Sequence, residues 1–261
     1  RALPSAGIDA IERETAYFEA VADGRKQLYA WDSHQGSLIE MSGNPSTAKA
    51  ALFVVPGTNT TADSFYGEDP VTGFADWQVR GGREHVIAFT VMTGPMPQLR
   101  DIPYGGGPQW NEYAHDRAPE HARFIQGVRA TDPSLWTMSY EHSYGGGVGS
   151  AAEAYGGIVD TRFLAASVGA VDGYAPADGT TYYSAQGPDD INRYYAGFQL
   201  GPLGFGADPE SFEGVQIVES GLPGINPANV ALGAPLVVAA SVEHHNALMS
   251  DDERVNGTVL N

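Results

Sequence analysis

The segment Leu135-Trp136-Thr137-Met138-Ser139-Tyr140-Glu141-His142-Ser143-Tyr144-Gly145-Gly146-Gly147 joins an apolar, strand-length run to an Ala-rich stretch through a serine and a cluster of glycines. A strand that turns sharply into a helix is the repeating unit of α/β architecture, because parallel strands need a crossover to connect them. Glycines at such a turn let the backbone approach its neighbours closely and hold one side chain out over the end of the sheet. Ser143 is therefore the first candidate functional residue.

The rest of the chain reads the same way. Ala50–Val55 is a continuous apolar run that stops at Pro56-Gly57, the pattern of a strand buried on both faces. Residues 85–92, 135–140, 162–171, 180–185 and 234–242 read as further strands, with helices expected over 119–130, 147–155 and 189–200. Residues 1–25 form a helical lead-in, and 27–31 with 37–41 an antiparallel hairpin. The expected fold is one α/β domain over 1–261: a doubly wound, mostly parallel sheet with an antiparallel start. Two stretches without a clear period, 95–115 and 201–229, are long enough to be lid or pocket loops.

Composition narrows the function. The 261 residues are 42% hydrophobic and 18% charged, which supplies a core for a soluble globular domain. A net charge of −18 makes this an acidic protein that repels nucleic acid and anionic membranes. No apolar run approaches the roughly 18 to 20 residues of a membrane span, so no integral membrane segment is expected. The absence of cysteine excludes disulfides, thiolate zinc sites and cysteine nucleophiles. No metal is expected: His115 and His121 are six residues apart and face different ways on a helix, and His-Glu-x-x-His is missing. The chain opens at Arg1 without a methionine, which leaves secretion open beside a cytoplasmic location. Two lysines against twelve arginines, with 33 glycines, point to a bacterial source of high GC content.

With Ser143 on its strand-to-helix turn, the chain resembles the α/β-hydrolase family over roughly residues 50–249. More closely it resembles an uncharacterised actinobacterial branch whose elbow reads Gly-His-Ser-Tyr-Gly. His142-Ser143-Tyr144-Gly145 matches; Glu141 stands where a small residue is usual. The resemblance implies a serine esterase or lipase-like enzyme that uses a catalytic triad and an acyl-enzyme, takes a small-molecule or lipid-like acyl substrate and needs no cofactor. The partners follow the nucleophile in the order acid, then histidine. It implies Asp189 as the acid, two residues before Ile191, with Asp190 the alternative, and His245 as the base, with His244 the alternative. For the oxyanion hole it implies the N–H groups of Tyr144 and Thr58, with Asn59 as alternative to the latter. Glu141 is a candidate for tuning the base or excluding anionic substrates. Tyr104, Trp110, Tyr113 and Phe205 on the two long loops, with Phe198 just before the second, are candidates for the pocket wall.

Two other readings use the same residues. Gly147-x-Gly149-x-x-Ala152 with Asp172 imitates a dinucleotide fingerprint, although Glu141 to Tyr144 intervene where its first glycine should stand. A hydrolase fold with a dead site would serve as a binding module, and the unusual Glu141 is what would mark one.

Overall fold

The computed structural model describes residues 5–67, 69–80, 85–222 and 234–250. Helix α1 (Ser5–Ala22) leads into the antiparallel hairpin β1 (Gln27–Asp32) and β2 (Ser37–Ser42). There follow β3 (Ala50–Val55), α2 (Gly73–Arg80), β4 (Val86–Met92), α3 (Glu112–Thr131), β5 (Trp136–His142), α4 (Tyr144–Glu153), β6 (Thr161–Ala165) and β7 (Thr181–Ala185). The chain continues through α5 (Asn192–Tyr195), the small hairpin β8 (Gln199–Leu200) and β9 (Leu203–Gly204), β10 (Gln216–Ile217) and α6 (Ala234–Ala247). Among the described residues no helix is long and apolar enough to cross a membrane.

Eight strands form the main sheet in the order β1-β2-β4-β3-β5-β6-β7-β10. β2 runs antiparallel to β4, and every pair from β4 to β10 is parallel. The two faces are legible in β3. Leu52 and Val54 pack with Phe74 of α2 and Leu248, just past α6, on one side. Ala51 and Phe53 pack with Ile87, Phe89 and, from α3, Ile125 and Val128 on the other. Both Phe53 and Phe89 are fully buried or nearly so, each contributing about 1.5 to 3 kcal/mol. The fold class is the expected one: a doubly wound, mostly parallel α/β sheet with an antiparallel start.

The order also locates the site. From β3 the chain first places β4 on one side, then crosses to place β5 on the other. In open α/β sheets the crevice outside the carboxyl ends of two such strands is where ligands bind. Here those ends carry Pro56-Gly57-Thr58 and Ser143.

Four expectations need correction. The strand expected over 162–171 stops at Ala165, where Ala166 takes φ 49°. Residues 234–242 are not a strand: they open the 14-residue helix α6. A short apolar run fits either element; Val237 and Val238 favour strand locally, but the helix carries on through the polar Glu243-His244-His245-Asn246 to Ala247. The sheet instead ends in the two-residue β10, inside a stretch expected to be loop. Only Asn192–Tyr195 of the expected 189–200 helix forms: Ala196, at ψ 133°, and then Gly197, at φ 86°, leave the helical region. Residues 223–229 of the second expected loop lie outside the described residues.

Candidate active site

Ser143 sits between β5 and α4 with φ 56° and ψ −120°, a conformation that costs a non-glycine residue about 1 to 3 kcal/mol. Its surroundings enforce it. The Ser143 N–H donates to the Ala165 carbonyl at the end of β6 (2.9 Å), and the Ser143 carbonyl accepts from Gly146 and Val168 (both 3.2 Å). Gly57 presses on it from the loop after β3: a Cβ there would stand 2.6 Å from Ser143 Cβ and 3.1 Å from its Oγ. Only a residue without a side chain fits beside the serine.

His142 and His245 come together next to this turn, their ring centroids 4.7 Å apart. His142 Nε2 is 2.9 Å from the His245 carbonyl oxygen. A carbonyl only accepts, so the His142 proton is on Nε2. Burial first, and the neighbouring His245 second, push the His142 pKa down to about 3, so this ring is neutral.

His245 lies in the last turn of α6, and its Nδ1 is 3.0 Å from Asp190 Oδ2. Asp190 is fully buried, and its other oxygen accepts the Asn192 N–H (2.9 Å). The turn holding it is tied to its neighbours: Ile191 N–H donates to Ser241 Oγ (3.0 Å), and Asn192 Nδ2 to the Ala166 carbonyl (2.8 Å). Asp189, the acid implied by the resemblance, faces His244 instead, at 3.7 Å from its Nδ1, beyond hydrogen-bond range. The alternative, Asp190, is the one that meets His245. Two adjacent acids opposite two adjacent histidines pair in register, so exchanging one partner exchanges both.

The loop after β3 places the remaining candidates. Thr58 N–H donates to no acceptor among the described residues, and Tyr144 N–H, the first of α4, has no acceptor within its helix. Asn59 is different. Its N–H is taken by the Pro97 carbonyl (3.0 Å), and its side chain accepts from Leu99 N–H (2.9 Å).

Of the five aromatic candidates, three gather around Tyr144. The Tyr144 hydroxyl donates to the Trp110 carbonyl, Phe205 meets the Tyr144 ring edge-on at 5.3 Å, and Tyr113 packs against the same cluster. Tyr104 and Phe198 are not with them; they are 88% and 54% exposed. The two long loops are stitched together: Asn111 N–H donates to the Pro202 carbonyl (2.9 Å) and Gly204 N–H to the Gln109 carbonyl (2.7 Å).

Glu141 is buried and engaged away from the histidines. Arg162 Nε donates to its Oε1 (2.9 Å), Arg162 Nη2 bonds its Oε2, and Ser139 Oγ donates to Oε1 (2.7 Å). Space for this carboxylate is made by Gly149, whose Cβ would stand 2.2 Å from it. Phe205 fills the space beside Gly147 in the same way. These glycines of the apparent dinucleotide fingerprint lie inside α4 and face protein side chains. Arg162 was missed as a site residue. Its signal was a charge within a strand that is otherwise apolar, which calls for a buried acid nearby.

No family model matches the chain, and no curated protein matches it. Solved structures with a similar chain path include a thermostable carboxyl esterase from Bacillus coagulans, 12% identical, with a TM-score of 0.37. That match covers 54% of this chain and 44% of the esterase, so the chain spans less than half of that protein's length. A carboxylesterase from Mesorhizobium loti is 13% identical, covers 84% of this chain and 97% of its own, and has a TM-score of 0.46. A serine hydrolase without lid from Xanthomonas campestris is 13% identical, with 85% and 93% covered and a TM-score of 0.43. Similarity at this level concerns chain path and assigns no chemistry.

Proposed function

We propose that this chain is a serine hydrolase that cleaves carboxylic esters of small or lipid-like acyl groups through Ser143, His245 and Asp190. The observation that carries the reading is the backbone of Ser143: a strained, non-glycine turn at the carboxyl end of a central strand, held by three hydrogen bonds and backed by Gly57. Strain of this kind persists where function needs the side chain presented.

The mechanism follows from the donors and acceptors. A carboxylate only accepts, so His245 Nδ1 carries the proton toward Asp190 and Nε2 is left with its lone pair as the base. His245 takes the Ser143 hydroxyl proton as Oγ attacks the ester carbonyl. Negative charge develops on the carbonyl oxygen, where the Thr58 and Tyr144 N–H groups serve as donors and the start of α4 adds its dipole. His245 then protonates the departing alcohol, and the same base activates the water that releases the acyl group. The neutral His142 holds the His245 carbonyl and keeps a second positive charge away from the base.

Treatment with a fluorophosphonate, followed by intact mass and peptide mapping with a Ser143→Ala control, tests the reading. A single adduct on Ser143 is expected. A folded protein that takes no adduct is not a working serine hydrolase.

A further inference from the structure

Beneath the elbow, one guanidinium connects the strand before Ser143 to the helix after it. Arg162, on β6 in register with Ser139, makes its two-bond contact with Glu141, two residues before the serine. Its Nη1 stands 2.9 Å from Oε2 of Glu153, the last residue of α4. All three side chains are at least 95% buried. Tyr174 accepts from Arg162 Nη1 (2.9 Å), and Tyr182 donates to Glu153 Oε1 (2.8 Å).

Burial opposes every charge in this cluster. Burial raises the Glu141 carboxyl above its ordinary range, with Arg162 and Ser139 pulling against it. Burial also acts to lower the Arg162 pKa, but Glu141 and Glu153 outweigh it and hold the guanidinium charged. Buried ion networks of this kind are often no more stabilising than apolar residues of the same volume. Stability alone therefore does not account for three charges placed here. Their placement does: Glu141 and Glu153 stand on the two arms of the elbow, and one guanidinium holds both, Glu141 through two hydrogen bonds and Glu153 through charge at 2.9 Å.

We propose that Glu141, Arg162 and Glu153 form a clasp that sets the angle between β5 and α4, making them positioning residues for Ser143. The catalytic part of the inference rests on Ser143 being the nucleophile. With the clasp open, β5 and α4 keep their own hydrogen bonds, but the serine drifts from its place beside Gly57, and a displacement near 1 Å is worth about 100-fold in rate.

Two variants test it. Arg162→Lys keeps the charge but replaces the fork with a point donor. The triple variant Glu141→Ala/Arg162→Met/Glu153→Gln removes the buried charges and leaves an amide oxygen to accept from Tyr182. The readouts are kcat and KM on a generic ester, the rate of fluorophosphonate labelling, thermal stability and amide hydrogen exchange over residues 143–149. The clasp predicts kcat and labelling lower by about 10- to 100-fold, KM within about twofold, and faster exchange at 143–149 with β3 unchanged. It predicts this in the triple variant even where stability equals wild type. A purely structural network predicts full kcat once stability is restored, and that result overturns the clasp. If Arg162→Lys fails to fold, the triple variant decides. If wild type takes no label, the nucleophile reading falls and the clasp is judged on exchange alone: unchanged protection at 143–149 refutes it.

Discussion

His245 Nδ1 lies 3.0 Å from Asp190 Oδ2, while Asp190 Oδ1 accepts the Asn192 N–H, so a single buried carboxylate both orients the imidazole and closes its own turn. Asp189, one residue earlier, is partly exposed and faces the other histidine. Asp190→Asn is expected to lower kcat by roughly 10³- to 10⁴-fold, as loss of the correct tautomer does, while Asp189→Asn changes it by less than about threefold. Steady-state ester hydrolysis checks both; equal losses would refute the assignment.

Gly57 lies directly against Ser143. The methyl of Gly57→Ala would enter at 2.6 Å from Ser143 Cβ and 3.1 Å from the His142 carbonyl oxygen, so backbone on one side or the other has to shift. Overpacking costs about 1 to 3 kcal/mol, and here it falls on the serine itself. Labelling of Ser143 should slow by more than tenfold even at temperatures where the variant is folded; labelling at the wild-type rate would show that the contact relaxes freely.

Gly149 and Glu141 are complementary in shape. Gly149→Ala alone should destabilise by about 1 to 3 kcal/mol, because its methyl overlaps the Glu141 carboxylate. Adding Glu141→Ala removes the obstacle, so the double variant should be more stable than the sum of the single effects by about 1 kcal/mol or more. Denaturant titrations of the four proteins give the coupling. Strict additivity would place the carboxylate elsewhere.

His121 supplies a pH dependence. It is buried on α3, neither ring nitrogen has a hydrogen-bond partner among the described residues, and burial, with Arg162 nearby, lowers its pKa from 6.5 to about 4. Because the folded value is below the unfolded one, the unfolded chain binds the extra proton between these limits. The contribution is complete above about pH 6.5 and is lost as pH falls toward 4, by about 1.4 kcal/mol per unit. His121→Leu should fold at least as well at pH 7 and should flatten the stability profile between pH 6 and 4.5 by one proton. An unchanged slope would mean that His121 is protonated in the folded protein.

Much of the fold was legible because buried strands declare themselves as apolar runs: Ala50–Val55 needs no further context. Ser143 was legible too, since its strand, serine and glycines adjoin in the chain. The proposed partners were harder. Asp189 and Asp190 both follow β7, and a carboxylate's direction depends on how the turn closes, which Asn192, 2 residues beyond Asp190, and Ser241, 50 residues beyond Ile191, decide. The histidines were placed after a strand and belong to a helix, yet either element delivers residue 245 to the same end of the sheet. The expected roles for Glu141 looked toward the catalytic centre; its actual partner, Arg162, is 21 residues distant and carries no motif.

Four of the ten residues of α4 are glycine, each costing a helix about 1 kcal/mol relative to alanine. A helix so composed does not hold itself together. It is helical because Val55, Glu141, Ser167 and Phe205 occupy the space around it, and those residues come from four separate parts of the chain. A peptide spanning residues 136–155 should therefore show no helix in water by circular dichroism. The strained turn at Ser143 thus depends on all four parts being in place, and a molecule in which one of them has come away is expected to relax that turn and leave Ser143 an ordinary serine.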